Sequence, residues 1–324
     1  MPGSILDGIM IEDEEPKRVA ETIQTSTLNP IASAFARNAY DLLIFLSLPL
    51  LLLSVGMSEV YNLVFFTQAL ARTRNVGKYG KSPEATAEVD AEIDRLRLEA
   101  QQNPESKFKP VEGAKAMLIG VLNRTELQGP TRALLYAAVT SAWASFECAA
   151  KDAWIEALNL RPSELAQPAF SNLPTDSSGD GISGKQIGVG LLARHGFDLR
   201  DKLGTLLAPK FDFTSISGIR VAYFAAFGHQ VAIEKALSNT TLGALEATRH
   251  LVVHRAGLVD EEYQRRTGDT TVVGKELQLN GRRITELVNP AIFAGCELLR
   301  ALDAWLVANP PRQRDEQVSG GPNK

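Results

Sequence analysis

The fold assignment rests on the stretch Leu245-Glu-Ala-Thr-Arg-His-Leu-Val-Val-His-Arg-Ala-Gly-Leu-Val-Asp260. Its apolar spacing predicts the end of a helix. Two of the chain's four histidines, His250 and His254, lie here beside Arg249 and Arg255. An arginine can hold a phosphate through two hydrogen bonds, and a histidine can move a proton near neutral pH. The stretch therefore indicates chemistry on a phosphate group at the end of a helix.

Apolar residues with helical spacing continue on both sides of this stretch. In residues 131–158, for example, Leu135, Trp143 and Phe146 belong to one broad apolar face. The sequence therefore predicts a mostly α-helical domain over residues 113–308. A short alternating run that ends in Asn-Gly predicts one small hairpin at 270–281. The predicted helices of this domain are 131–158, 185–195, 215–236, 240–254 and 283–308, with a turn-rich loop at 171–184.

The motif and its flanks resemble the HEPN domains, in which an arginine and a histidine a few residues apart form a ribonuclease site that needs no metal. The segment Ala144-Ser-Phe-Glu-Cys-Ala-Ala-Lys-Asp152 is similar to the apolar-Phe-Glu helix of that family. The continuation His254-Arg-Ala-Gly-Leu-Val-Asp-Glu-Glu-Tyr263 is similar to the end of its motif. The resemblance covers residues 113–308 and implies an up-and-down helical bundle that cleaves RNA.

The resemblance also implies roles for individual residues. His254 would act as general base on the ribose 2′-hydroxyl or as acid on the leaving 5′-oxygen. Arg249 would bind the phosphate, and His250 would assist. Glu147, on or near an apolar helix face, would orient Arg249 or a histidine. The structural alternatives are that Arg249 and His254 only stabilise a helix C-terminus, and that Glu147 forms an ordinary salt bridge.

Contacts with RNA would have to come from a local patch, because the net charge of the chain is −4. Arg255, Arg265 and Arg266 are the candidates for that patch, and each is equally well explained as part of a solvated surface. No cofactor is indicated, and no metal site is expected. Glu246, His250 and His254 repeat every fourth residue, but about 12 Å of helix rise separates the outer two, too far to share one ion.

The N-terminal third has a different composition. Residues 1–30 are acidic and are predicted to be disordered or weakly structured. Residues 31–75 form an apolar helical segment. An uncharged run from Leu42 to Ser58 can extend to residue 66 if Glu59 is included. It predicts either a membrane span or a buried hairpin turning at Pro49 or Gly56. Residues 76–112 read as a polar linker or exposed helix, and 309–324 as a disordered tail.

Assembly and location follow from the same observations. Positions five apart on a helix point about 140° apart, so a site that uses both Arg249 and His254 needs either a bent helix end or groups from two chains. A homodimer supplies the second arrangement. Cys148 and Cys296, the only cysteines, suit buried free thiols in a reducing, cytoplasmic compartment, with a tether to the inner membrane through 42–66. By resemblance the protein would be a toxin or effector in prokaryotic defence or stress, with an antitoxin or regulatory partner. The alternative is a non-catalytic module that binds RNA or protein.

Overall fold

The computed structural model of the chain describes residues 12–103, 109–122, 124–173, 182–183, 186–194, 196–199 and 201–311. The disorder predicted for the first eleven residues and for the tail after residue 311 lies outside this part of the chain. So do most of the predicted loop at 171–184 and the side chain of His195.

The described residues form thirteen α-helices, so the mostly α class predicted from the sequence is confirmed. Two strands of two residues each, β1 (Ile182–Ser183) and β2 (Gln186–Ile187), pair antiparallel. A π-helical turn at Pro162–Ala166 follows the fifth helix, and a 3-10 turn at Ala208–Lys210 follows the eighth. The helices are α1 (Glu14–Thr22), α2 (Asn29–Thr73), α3 (Pro83–Gln102), α4 (Pro110–Leu122), α5 (Thr125–Leu160), α6 (Gln167–Ser171), α7 (Val189–Arg194), α8 (Leu203–Leu207), α9 (Ile216–Phe227), α10 (Val231–Leu237), α11 (Thr240–Arg255), α12 (Glu261–Thr267) and α13 (Gly281–Ala308).

The chain divides into two compact units, and α2 and α5 contribute to both. Over the described residues the first unit comprises 44–135 and 279–281, and the second comprises 12–43, 136–278 and 282–311. This division differs from the predicted boundary at Gly113. Residues 12–43, from the start of the chain, belong to the same unit as nearly all of the last helix.

In the first unit, α3 runs antiparallel to the C-terminal half of α2. Arg72 pairs with Glu92 at 3.0 Å, and Arg97 donates to Asn62 at 3.2 Å. Residue numbers therefore increase along one helix where they decrease along the other. The α2 helix continues without a break through Pro49. The predicted hairpin turning at Pro49 or Gly56 is therefore wrong. Pro49 removes one backbone donor, but the leucines around it are strong helix formers and the helix persists.

Two described helices are long and apolar enough to cross a membrane, judged by length and composition. In α2, only 6% of the most apolar 18-residue stretch is buried. Its exposed side chains include Leu48, Leu51, Leu52 and Val55. In α5 the corresponding stretch is 44% buried, as is usual for a core helix of a globular protein. Because its apolar surface is exposed, α2 is a better candidate for membrane association than α5.

The core of the second unit is built around the C-terminal part of α5. The indole of Trp154, fully buried, donates to the carbonyl of Ala222 in α9 at 2.9 Å. The hydroxyl of Tyr223 donates in the opposite direction to the carbonyl of Ala150 at 2.7 Å. These reciprocal bonds satisfy both buried polar groups and fix α9 against α5. The largest other side chains buried in this unit are Trp143, Phe146, Leu28, Leu158, Leu165, Ile219, Leu242 and Leu245.

Residues 12–43 belong to this unit and include α1, whereas residues 1–30 were predicted to be disordered or weakly structured. The carboxylate of Asp303, in α13, accepts from the backbone N–H groups of Gln24 at 3.0 Å and Thr25 at 2.7 Å. Nearby, Phe35 of α2 packs so closely on Gly295 that a Cβ there would lie 2.4 Å from its ring. Low-hydropathy segments order when another element supplies partners, and here α13 supplies them.

The hairpin predicted at 270–281 does not form. These residues make turns, with Gly274 at a φ of +81°, and a single antiparallel bridge joins Glu276 to Leu258. The segment pairs with the chain after α11 instead of with itself.

The two cysteines were both expected to be buried free thiols. Both are free, but only Cys296 is buried, whereas Cys148 is exposed.

Candidate active site

The motif residues lie near the end of α11. The side chain of Asn239 caps its start by accepting from the N–H of Thr241 at 2.9 Å. The helix is regular through Arg255 and ends at Ala256, whose φ of +52° is left-handed. No bend brings Arg249 and His254 to the same side. Because they are five positions apart on a regular helix, they point about 140° apart.

His250 and His254 form an exposed pair. Their ring centroids are 4.7 Å apart with the ring planes tilted by 44°. Residues four apart on a helix are neighbours on its surface, which explains the contact. Within the described part of the chain, neither imidazole makes a hydrogen bond or an ion pair. Both rings are therefore accessible to a ligand from solvent.

Arg249 is half-buried and lies close enough to Glu147, on α5, for their charges to interact. Burial raises the pKa of Glu147 above its ordinary value of 4.5. The indole of Trp143 and the charge of Arg249 oppose that rise, whereas the carboxylate of Asp212 adds to it. The structure thus brings Glu147 near Arg249, the neighbour that the sequence reasoning considered for it.

The three arginines considered for RNA contact each have a carboxylate partner. Arg255 lies 3.3 Å from Asp260, and Arg265 lies 2.6 Å from Glu262. Arg266 lies 3.0 Å from Glu246. Their charges are largely offset where they stand, so they do not add a strong positive field to the motif.

The structure adds Asp212 and Glu246, which the sequence analysis did not select as site residues. Asp212 accepts from the backbone and hydroxyl of Thr214 and from the hydroxyl of Ser215, which caps α9. Burial alone would raise the pKa of Asp212, but these hydrogen bonds outweigh it and lower the pKa. A serine before an apolar run is typical of a helix start, so the sequence does indicate the capping role of Ser215.

The turn after α11 needs a glycine. Gly257 has a φ of +81°, and its N–H donates to the carbonyl of Leu251 at 3.1 Å. A Cβ at Gly257 would lie 2.1 Å from the hydroxyl of Tyr136, on α5. That hydroxyl donates to the carbonyl of Leu277 at 3.3 Å. The turn therefore packs the end of the motif helix tightly against Tyr136 of α5.

Across the described residues no group of three or more histidine, cysteine, aspartate or glutamate side chains is arranged to hold a metal ion. Scans against models of known protein families find none that matches the chain, and searches of curated proteins and of solved structures find no match either.

Proposed function

We propose that the protein is an endoribonuclease that needs no metal and no cofactor, with its site on α11. The observation that carries the proposal is the exposed His250–His254 pair, 4.7 Å between centroids, on the same helix as Arg249. Two imidazoles side by side can supply both a general base and a general acid. The resemblance of residues 113–308 to HEPN domains supports the same chemistry.

In the proposed reaction His254 takes the proton of a ribose 2′-hydroxyl, and the 2′-oxygen attacks the adjacent phosphorus. The bond from phosphorus to the 5′-oxygen breaks, and a protonated imidazole, His250 or its counterpart, gives that oxygen a proton. The products are a 2′,3′-cyclic phosphate and a 5′-hydroxyl. Arg249 offsets the charge that builds on the phosphate oxygens.

The orientation of Arg249 supports a homodimer. Since Arg249 and His254 point in different directions on one helix, a second copy of α11 would supply the missing group to each site. An isologous contact places each motif beside its copy. Two chains would then complete two sites, each with histidines from one chain and the arginine from the other.

The biological setting is proposed from the resemblance and from α2. The protein would act in the cytoplasm on RNA, as a toxin or effector in prokaryotic defence or stress, and an antitoxin or other regulatory partner would restrain it. The exposed apolar surface of α2 between residues 42 and 66 would tether it to the inner membrane.

A second candidate is a non-catalytic module that binds RNA or a partner protein. It is favoured by one observation, namely that carboxylates stand beside the arginines of this region. Glu147 lies close to Arg249, while Arg255 and Arg266 form ion pairs. An arginine engaged in this way holds a phosphate less readily than a free one.

Cleavage of a labelled RNA by the purified full chain in excess EDTA separates the two candidates. We expect cyclic-phosphate ends from the wild type and a loss of about 10²- to 10⁴-fold in His254→Ala. The matched control is His229→Ala, because His229 is also exposed but pairs with Glu234 at 2.8 Å. Cleavage that stops with chelator and returns with a divalent ion would refute the metal-independent reaction, and no cleavage in either condition would favour the binding module.

A further inference from the structure

Glu246 lies one turn before the motif, on the same face of α11. Positions three and four apart on a helix are surface neighbours, so Glu246 adjoins both Arg249 and His250. Its side chain is only 14% exposed. A carboxylate this buried is costly unless it is paired and hydrogen-bonded, which makes its partners informative.

Both partners reach the same oxygen. Oε2 of Glu246 accepts from the backbone N–H of Ile216 at 3.2 Å and pairs with the guanidinium of Arg266 at 3.0 Å. Ile216 is the first residue of α9, where backbone N–H groups have no partner within the helix. Arg266 lies in the last turn of α12. One carboxylate therefore joins α11 to both α9 and α12.

The opposite end of α11 is held as well. Arg255 pairs with Asp260, which caps α12 by accepting from the N–H of Tyr263 at 2.8 Å. On the buried side of α11, the hydroxyl of Thr248 lies 3.5 Å from that of Tyr263. These contacts at both ends and along the inner face of α11 fix its rotational orientation about the helix axis.

We infer that Glu246 is a positioning residue for the proposed ribonuclease site. It sets the rotation of α11 and so the directions in which Arg249 and His250 project. This inference rests on the proposed function. A shift of about 1 Å at reacting groups can cost about 10²-fold in rate, so the contacts of Glu246 matter although it touches no substrate.

Three variants remove the contacts separately. Glu246→Gln keeps an oxygen for the N–H of Ile216 and loses the charge that Arg266 requires. Arg266→Met removes the ion pair together with the 3.4 Å bond from Arg266 to the carbonyl of Gly243, and Glu246→Ala removes both contacts of Glu246. The matched control is Lys235→Met, which breaks an exposed ion pair with Glu297 in the same unit but outside α11 and α12. The chain has four histidines, so labelled histidine gives a spectrum in which each ring can be assigned by substitution.

We expect Glu246→Ala to shift the ring-proton signals of His250 and His254 and to lower kcat by about ten- to a hundredfold. KM should change far less, and Glu246→Gln should recover part of kcat. The control should match wild type in both measurements. Unshifted histidine signals in Glu246→Gln and Arg266→Met, which carry the test if the alanine variant unfolds, would overturn the inference. Shifted signals in a chain whose wild type never cleaves RNA would support the positioning and refute the ribonuclease.

Discussion

The imidazole rings of His250 and His254 lie 4.7 Å apart on the exposed side of α11, one helical turn from each other. If His254 is the main proton-transfer group and His250 assists, their losses should differ in size. We expect His250→Ala to lower single-turnover cleavage by about tenfold and His254→Ala by at least about a hundredfold. Equal losses, or a larger loss at His250, would reverse the assigned roles.

Complementation between inactive chains tests the shared site. Arg249→Ala and His254→Ala homodimers should each be inactive. After mixing and exchange, one site of each mixed dimer would combine an intact arginine with intact histidines. We expect activity to return to at most about a quarter of the wild-type value, because half of the dimers are mixed and each has one complete site. A monomer by light scattering that still cleaves RNA would contradict the two-chain site.

The pKa of Glu147 predicts how stability responds to pH. A carboxyl whose folded pKa is raised above the unfolded value stabilises the fold at pH below the unfolded pKa, and this contribution is lost as pH rises through the folded pKa. Burial is the main cause of the rise at Glu147, whose ordinary value is 4.5. The unfolding free energy of Glu147→Gln minus that of wild type should therefore increase from acidic to neutral pH.

Glu262 provides the control of opposite sign. Its pair with Arg265 lowers its pKa, so Glu262→Gln should lose a little stability at neutral pH compared with acidic pH. The effect should be small because the pair is exposed. Urea titrations from pH 4 to pH 8 measure both differences. The same trend in both variants would exclude burial of Glu147 as the cause.

The turn after α11 predicts opposite effects at adjacent residues. Ala256→Gly should stabilise the protein by about 1 kcal/mol, because alanine carries a left-handed penalty that glycine avoids. Gly257→Ala should destabilise it, since the new Cβ would collide with Tyr136. Gly243→Ala, in open space on the same helix, is the control and should stabilise by about 1 kcal/mol. The midpoints of urea unfolding measure these changes in stability. An unchanged midpoint in Gly257→Ala would show that the turn can move to accommodate the new Cβ.

The apolar surface of α2 predicts membrane binding. Leu48, Leu52 and Val55 are exposed, so replacing all three by serine should release the protein from a washed membrane fraction without unfolding it. Three exposed apolar residues of the second unit give the control, in which Val221, Phe224 and Val231 become serine. A wild-type chain that stays in the soluble fraction at physiological salt would show that α2 does not bind the bilayer.

The helices near the motif could be predicted because their apolar positions repeat with helical spacing. The helix expected at 240–254 runs from Thr240 to Arg255, and the one expected at 283–308 runs from Gly281 to Ala308. Local signals fix these bounds. Asn239 caps the first helix, and Pro310 follows the second. The contact between His250 and His254 also follows from spacing alone.

Contacts between distant residues could not be predicted. Arg266 appeared available to RNA, but its partner Glu246 lies on another helix, and nothing local in the sequence joins them. Asn280-Gly281 indicated a hairpin turn, but that dipeptide lies at the start of α13. The residues before it found partners near Gly257 instead, with the N–H of Leu277 donating to its carbonyl at 2.8 Å. Tertiary pairing outweighed the local turn signal.

The bonds from Asp303 to Gln24 and Thr25 join residues nearly three hundred positions apart. During synthesis at about 5 to 20 residues per second, the first helices would wait roughly 15 to 60 s for α13 to be made. The second unit, which contains the whole motif, cannot reach its final packing before then. A ribonuclease built in this order would gain a complete site only after α13 had been made.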